Sequence, residues 1–212
     1  RSMPPGPSQV SSSDFQISVS GGNIRARVLT PSTSAKRLMV YYHGGGWVIG
    51  NIDDYDSVGR HLAEISESIV VMVEYRKAPE HPFPTPINDC YAALEWVDNH
   101  RADINALDLP LVVAGDSAGG NLSTVMAIQS RDEDGPKIDL QVLIYPVTDG
   151  RMSANSWGDQ DKQLFLTSDI MTFFWEHYAD SSQRLNHKAS PLLAQDLSNL
   201  PPAVVLTAEF DI

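Results

Sequence analysis

A serine held at a tight turn between an apolar run and a helix can attack a carbonyl carbon, and one stretch of this chain has that form. Leu109-Pro110-Leu111-Val112-Val113-Ala114 leads into Gly115-Asp116-Ser117-Ala118-Gly119-Gly120, a G-x-S-x-G pattern between strand-like residues and a helix-like segment over 121–130. The turn strains the serine backbone, so the positions two before and two after it must be small, and Gly115 and Gly119 occupy them. The following helix points its N-terminal N–H groups and positive dipole end at the oxyanion formed when Ser117 attacks. The pentapeptide alone also fits a glycine-rich βα turn with an incidental serine. The strand before it and the helix after it favour the nucleophile.

The second stretch is His43-Gly44-Gly45-Gly46-Trp47. Three glycines after a strand let the backbone turn sharply and present N–H groups with no Cβ in the way. A phosphate cradle would want a Gly-Lys-Ser/Thr ending or G-x-G-x-x-G, and the chain has neither. Paired with the elbow, the loop reads as an oxyanion hole. Trp47 is read two ways: as a wall of the substrate pocket, or as core.

These residues need a scaffold. The 212 residues suit one sizeable domain with a buried core. A net charge of −12 argues against nucleic acid or an anionic membrane as partner. Cys90 is the one cysteine, so no internal disulfide forms, and it reads as a packing residue. No signal-peptide or bilayer-spanning run is present, and a cytoplasmic protein is the expectation. Residues 1–13, rich in Pro, Ser and Gly, are expected to be disordered.

Alternation over 14–30 around Ser20-Gly21-Gly22-Asn23 predicts a hairpin. Strands are expected over 37–42, 68–75, 138–147 and 203–207, those at 68–75 and 138–147 buried on both faces. Helices are expected over 58–65, 88–100 and 168–179, with Ser168 as N-cap of the last. The proline-rich 76–86 reads as a loop and 149–167 as irregular. Strands alternating with helices mean an α/β protein with a mostly parallel sheet.

In these motifs the chain resembles the hormone-sensitive-lipase-like branch of the α/β-hydrolases, the bacterial family IV carboxylesterases. The likeness rests on His43-Gly44-Gly45-Gly46-Trp47, Glu74-Tyr75-Arg76-Lys77-Ala78-Pro79-Glu80-His81-Pro82-Phe83-Pro84 and Gly115-Asp116-Ser117-Ala118-Gly119-Gly120-Asn121. It continues in Ala189-Ser190-Pro191-Leu192, Leu200-Pro201-Pro202 and Thr207-Ala208-Glu209-Phe210-Asp211. The resemblance implies an α/β-hydrolase core over 14–212, a twisted sheet with helices on both faces, with 150–190 contributing to a cap or lid. It implies Ser117 as nucleophile, Asp211 as triad acid, and the N–H groups of Gly45, Gly46 and Ala118 as oxyanion donors. His43, Gly44, Gly115, Asp116 and Gly119 carry the structural motifs around them. As a catalytic base His43 would break the order serine, acid, histidine.

The same resemblance puts the catalytic histidine after one more strand, beyond Ile212. His61, His81, His100, His177 and His187 do not match its place. The chain is therefore expected to lack the last strand, the last helix and most of the N-terminal cap, to be impaired by itself, and to pair with a second copy along an open sheet edge. The implied activity is hydrolysis of short-to-medium acyl esters, with no metal or organic cofactor. The alternative is a non-catalytic small-ligand module, because plant gibberellin receptors resemble this family without a working histidine.

Overall fold

A computed structural model describes residues 4–158 and 165–212. The hairpin forms where the alternation predicts it. β1 (Ser11–Val19) and β2 (Gly22–Thr30) turn at Ser20-Gly21, and Val19 pairs with Gly22. Five more strands follow: β3 (Arg37–Tyr42), β4 (Ser68–Glu74), β5 (Leu111–Asp116), β6 (Leu140–Ile144) and β7 (Ala203–Leu206). They form a single sheet in the order β1-β2-β4-β3-β5-β6-β7. The β1–β2 and β2–β4 pairs are antiparallel, and every pair from β4 to β7 is parallel.

Alternation along the central strands supplies two cores, one per face. Leu38, Val40, Tyr42, Val71, Val73, Leu111 and Val113 face α2 (Thr85–Asn99) and α3 (Ala118–Asp132), with Leu94, Leu122 and Val125 between them. Met39, Tyr41, Val70, Met72, Val112 and Ala114 share the opposite face with Ile52 and with Ala63 of α1 (Asp56–Ser66). A fourth helix, α4 (Ser168–Tyr178), sends Met171, Phe174, Trp175 and Tyr178 into the first core.

The structure corrects several expectations. The lead-in contacts α1 from Pro4 onward: the Ser57 hydroxyl donates to the Pro4 carbonyl at 2.5 Å, and Arg60 to the Val10 carbonyl at 2.6 Å. Residues 11–13 already belong to β1. α2 begins at Thr85, because a proline in a first helical turn lacks only an N–H that would have no partner there. The cap of α4 is Thr167, whose hydroxyl accepts the Ile170 N–H at 3.3 Å. β6 is buried at Gln141 and Leu143 but half-exposed at Leu140, Val142 and Ile144, and β7 is exposed at all four residues. Of the irregular stretch 149–167 and the cap region 150–190, residues 159–164 lie outside the described residues, as do 1–3 of the lead-in.

Candidate active site

Ser117 stands at φ 54°, ψ −116°, the one residue between β5 and α3. For a residue with a Cβ this backbone costs about 1–3 kcal/mol, and neighbouring bonds hold it there. The Ser117 N–H donates to the Ile144 carbonyl at 2.9 Å, while the Ser117 carbonyl accepts the N–H groups of Asn121 at 3.0 Å and Val147 at 3.2 Å. The flanking glycines are a matter of space. A Cβ at Gly115 would lie 2.5 Å from the Tyr42 carbonyl oxygen, and one at Gly119 would lie 2.6 Å from the Tyr42 carbonyl carbon. The end of β3 therefore passes directly against the elbow.

That same strand end runs into the glycine loop. Val48 and Ile49 donate to the Gly45 carbonyl at 3.1 and 2.9 Å, curling the loop into a turn. Gly45 and Gly46 take φ values of 111° and 58°. A Cβ on Gly46 would reach within 2.6 Å of the Phe174 ring, so α4 lies flat on the loop. Among the described residues, the N–H groups of Gly45, Gly46 and Ala118 donate to no acceptor. Those are the three groups expected to bind an oxyanion.

His43 is fully buried. Its Nδ1–H donates to the Gly44 carbonyl at 2.6 Å, and its ring stacks on Tyr75 at 4.5 Å and 15°. The Tyr75 hydroxyl donates to the His43 carbonyl at 2.7 Å. Burial, aided by Lys77, holds the imidazole below its ordinary pKa against the opposing pull of the Gly44 carbonyl, Glu74 and Asp116. A neutral, enclosed ring of this kind braces the loop.

Trp47 departs from the pocket expectation. It is 0% exposed, stacked on Tyr178 at 4.2 Å and 7° and packed on Trp175 at 4.7 Å. It is core, because α4 folds over it and offers two aromatic faces there. Asp211 follows β7, two strands from β5 on the side of the sheet's carboxyl ends. It is exposed, and local desolvation raises its carboxyl above the ordinary range against an opposing bond from the Ile212 N–H. Among the described residues, no hydrogen bond joins the Ser117 side chain to Asp211 or to a histidine. No group of three or more His, Cys, Asp or Glu among them is arranged to hold a metal ion.

Three further residues shape the site in roles that the sequence does not assign them. Asn121 donates through Nδ2 to the carbonyls of Val147 at 2.8 Å and Ala189 at 2.9 Å, fastening the loop after β6 beneath the elbow. Tyr41 and Tyr55 surround Asp116 on the α1 side of the sheet. Strand alternation places Tyr41 opposite Tyr42, but nothing local tells of Tyr55.

Comparison with known proteins agrees with this fold. A family model described as alpha/beta hydrolase fold matches residues 39–212. Carboxylesterase NlhH of Mycobacterium tuberculosis is 41% identical over 195 residues, covering 89% of this chain and 61% of that protein. Carboxylic ester hydrolase LipN of the same organism is 41% identical over 216 residues, covering 98% of this chain and 57% of its own length. A solved hyperthermophilic esterase from Pyrobaculum calidifontis superposes with a TM-score of 0.88 at 42% identity, over 94% of this chain and 67% of that one. The chain belongs to the α/β-hydrolase fold family, in its hormone-sensitive-lipase-like, carboxylesterase branch. It spans about three fifths of the length of these two curated relatives. Among the described residues no helix is long and apolar enough to cross a membrane.

Proposed function

We propose that the parent protein hydrolyses carboxylic esters through an acyl-serine formed on Ser117. The observation that carries this reading is the meeting of a strained elbow with three unpartnered N–H groups on adjoining turns. Ser117 Oγ attacks the ester carbonyl carbon while a histidine accepts its proton. The oxyanion rests on the N–H groups of Gly45, Gly46 and Ala118, each donor worth on the order of 3 kcal/mol. The carbon–oxygen bond to the alcohol breaks, and the alcohol leaves with the proton from the histidine. Water then attacks the acyl-serine and releases the acid.

The reading needs a histidine oriented by Asp211, and among the described residues no histidine side chain bonds to Ser117 or to Asp211. His43 is enclosed beneath the glycine loop, and His61, His100 and His177 each bond a carbonyl of their own helix segment through Nδ1. The substrates are carboxylic esters, in keeping with the name carboxylesterase of the relatives, and the short-to-medium acyl chains follow from the family resemblance.

The test compares the 212-residue chain with its parent on p-nitrophenyl butyrate, with Ser117→Ala as control. The parent hydrolyses the ester, Ser117→Ala removes that activity, and the 212-residue chain retains only a small residue of it. Full activity in the short chain would make one of its own histidines the base. An inactive parent with no histidine in the expected place would favour a ligand-binding module.

A further inference from the structure

Asp116 adjoins the nucleophile, yet alternation along β5 sends its side chain to the α1 face, in line with Val112 and Ala114. There it meets donors from three separate segments. Oδ1 accepts the Tyr41 hydroxyl from β3 at 2.7 Å and the Gly44 N–H at 3.0 Å. Oδ2 accepts the hydroxyl of Tyr55, the residue preceding α1, at 3.0 Å. Asp116 is 8% exposed, and among the described residues it pairs with no cation. Three neutral donors therefore carry most of the hydrogen bonding of one carboxylate, and a buried carboxylate deprived of them is costly. Burial and the nearby Asp116 charge keep both tyrosine hydroxyls protonated and donating. The fit is close: a Cβ on Gly44 would lie 3.0 Å from the Asp116 Cγ.

We propose that Asp116 is a positioning residue that locks the oxyanion loop to the nucleophile turn, setting where the Gly45 and Gly46 N–H groups stand relative to Ser117 Oγ. The inference rests on the ester-hydrolase reading above. Through its backbone Asp116 shares the elbow with Ser117; through its carboxylate it grips the first glycine of the loop. A displacement of either is passed to the other by one side chain. Charge-assisted bonds to a carboxylate are about twice as strong as neutral ones, so a carboxylate here holds Gly44 more firmly than an amide would.

The experiment measures kcat, KM and the backbone amide spectrum of the parent protein carrying Asp116→Ala or Asp116→Asn. Leu94→Ala in α2 serves as a destabilised control. Asp116→Ala should lower kcat by about 100-fold, the scale of losing one oxyanion donor, with KM within about threefold because ground-state binding is unaffected. Binding of a trifluoromethyl ketone, which forms a tetrahedral oxyanion on Ser117, should weaken by the same factor as kcat/KM. Leu94→Ala should lose stability without this split.

Asp116→Asn can keep one oxygen on Gly44 and turn its amide toward Tyr55, whose hydroxyl can rotate to accept. It should lose less than about tenfold in kcat, with the Gly44 amide proton moving upfield as the acceptor loses its charge. If Asp116→Ala does not fold, Asp116→Asn decides alone: unchanged kcat and an unchanged Gly44 amide would overturn the proposal. So would a folded Asp116→Ala with wild-type kcat. A parent that hydrolyses no ester sinks the functional reading instead, and the Gly44 amide then still tests the clamp.

Discussion

The carbonyl of Tyr42 occupies the space that a side chain at Gly119 would need. A Cβ there would lie 2.6 Å from the Tyr42 carbonyl carbon and 2.9 Å from that of His43. Both neighbours are backbone at the end of β3, so neither can swing away. Gly119→Ala is therefore expected to destabilise the protein by about 1–3 kcal/mol or more, read as a shift in the urea midpoint. It should also lower activity by pushing apart the loop and the elbow. A variant as stable as wild type would show that β3 yields more easily than its buried ladder suggests.

In the proposed reading, Ser117 is a place where the chain gives up stability for reactivity. At φ 54° a glycine pays no Cβ penalty, though it brings greater unfolded-state entropy. Ser117→Gly should raise unfolding stability by about 1 kcal/mol, the net of those two effects, while abolishing ester hydrolysis. Lower stability in Ser117→Gly would mean that the hydroxyl contributes more to the fold than to the chemistry.

Trp47 packs between Tyr178 and Trp175. Trp47→Ala should cost about 3–5 kcal/mol, the range for emptying a large aromatic from a core. Acyl-chain preference among p-nitrophenyl esters should then stay as it was in whatever folded enzyme remains. A changed preference with intact stability would return Trp47 to the pocket wall.

His43 gives stability a pH dependence of known sign. Burial holds its folded pKa below the ordinary value of 6.5. Below that pH the unfolded chain binds a proton that the native state refuses, so stability falls as pH drops from 6.5 toward the folded pKa. The slope is at most about 1.4 kcal/mol per pH unit. Lys77 works in the same direction, whereas Glu74 and Asp116 oppose it. Urea unfolding at pH 7 and pH 5 should show a steeper loss in wild type than in His43→Gln. Parallel losses in the two proteins would rule this out.

At the far edge, Val204, Val205 and Leu206 are 49%, 55% and 47% exposed on a strand that, among the described residues, pairs only with β6. An apolar outer strand with free N–H and C=O groups invites another chain. The 212-residue chain should self-associate in sedimentation experiments, and Val205→Lys should reduce that association. A monodisperse monomer at high concentration would contradict the expectation.

What the sequence discloses about this molecule follows the range of the forces involved. The elbow and the first hairpin are legible because Gly115, Gly119, Ser20 and Gly21 report local backbone geometry. Continuous apolar runs likewise reveal β3 and β4, which bury both faces. The direction of Trp47 is not legible, since a residue after three glycines can turn either way until α4 supplies Trp175 and Tyr178. The lead-in looks unstructured by composition, yet Ser57 and Arg60 reach back to Pro4 and Val10. The environment of Asp116 depends on Tyr41, Gly44 and Tyr55 arriving together from three segments. No window of the sequence contains that meeting.

Tyr42 lies opposite Gly115 in the parallel ladder between β3 and β5. Neighbouring strands of a sheet stand about 4.8 Å apart, a spacing imposed by peptide hydrogen bonds rather than by any side chain. The loop that leaves β3 and the serine that leaves β5 thus start one rung apart on a ruler that cannot be stretched without breaking rungs. Side chains around them can be exchanged while that interval stays as it is.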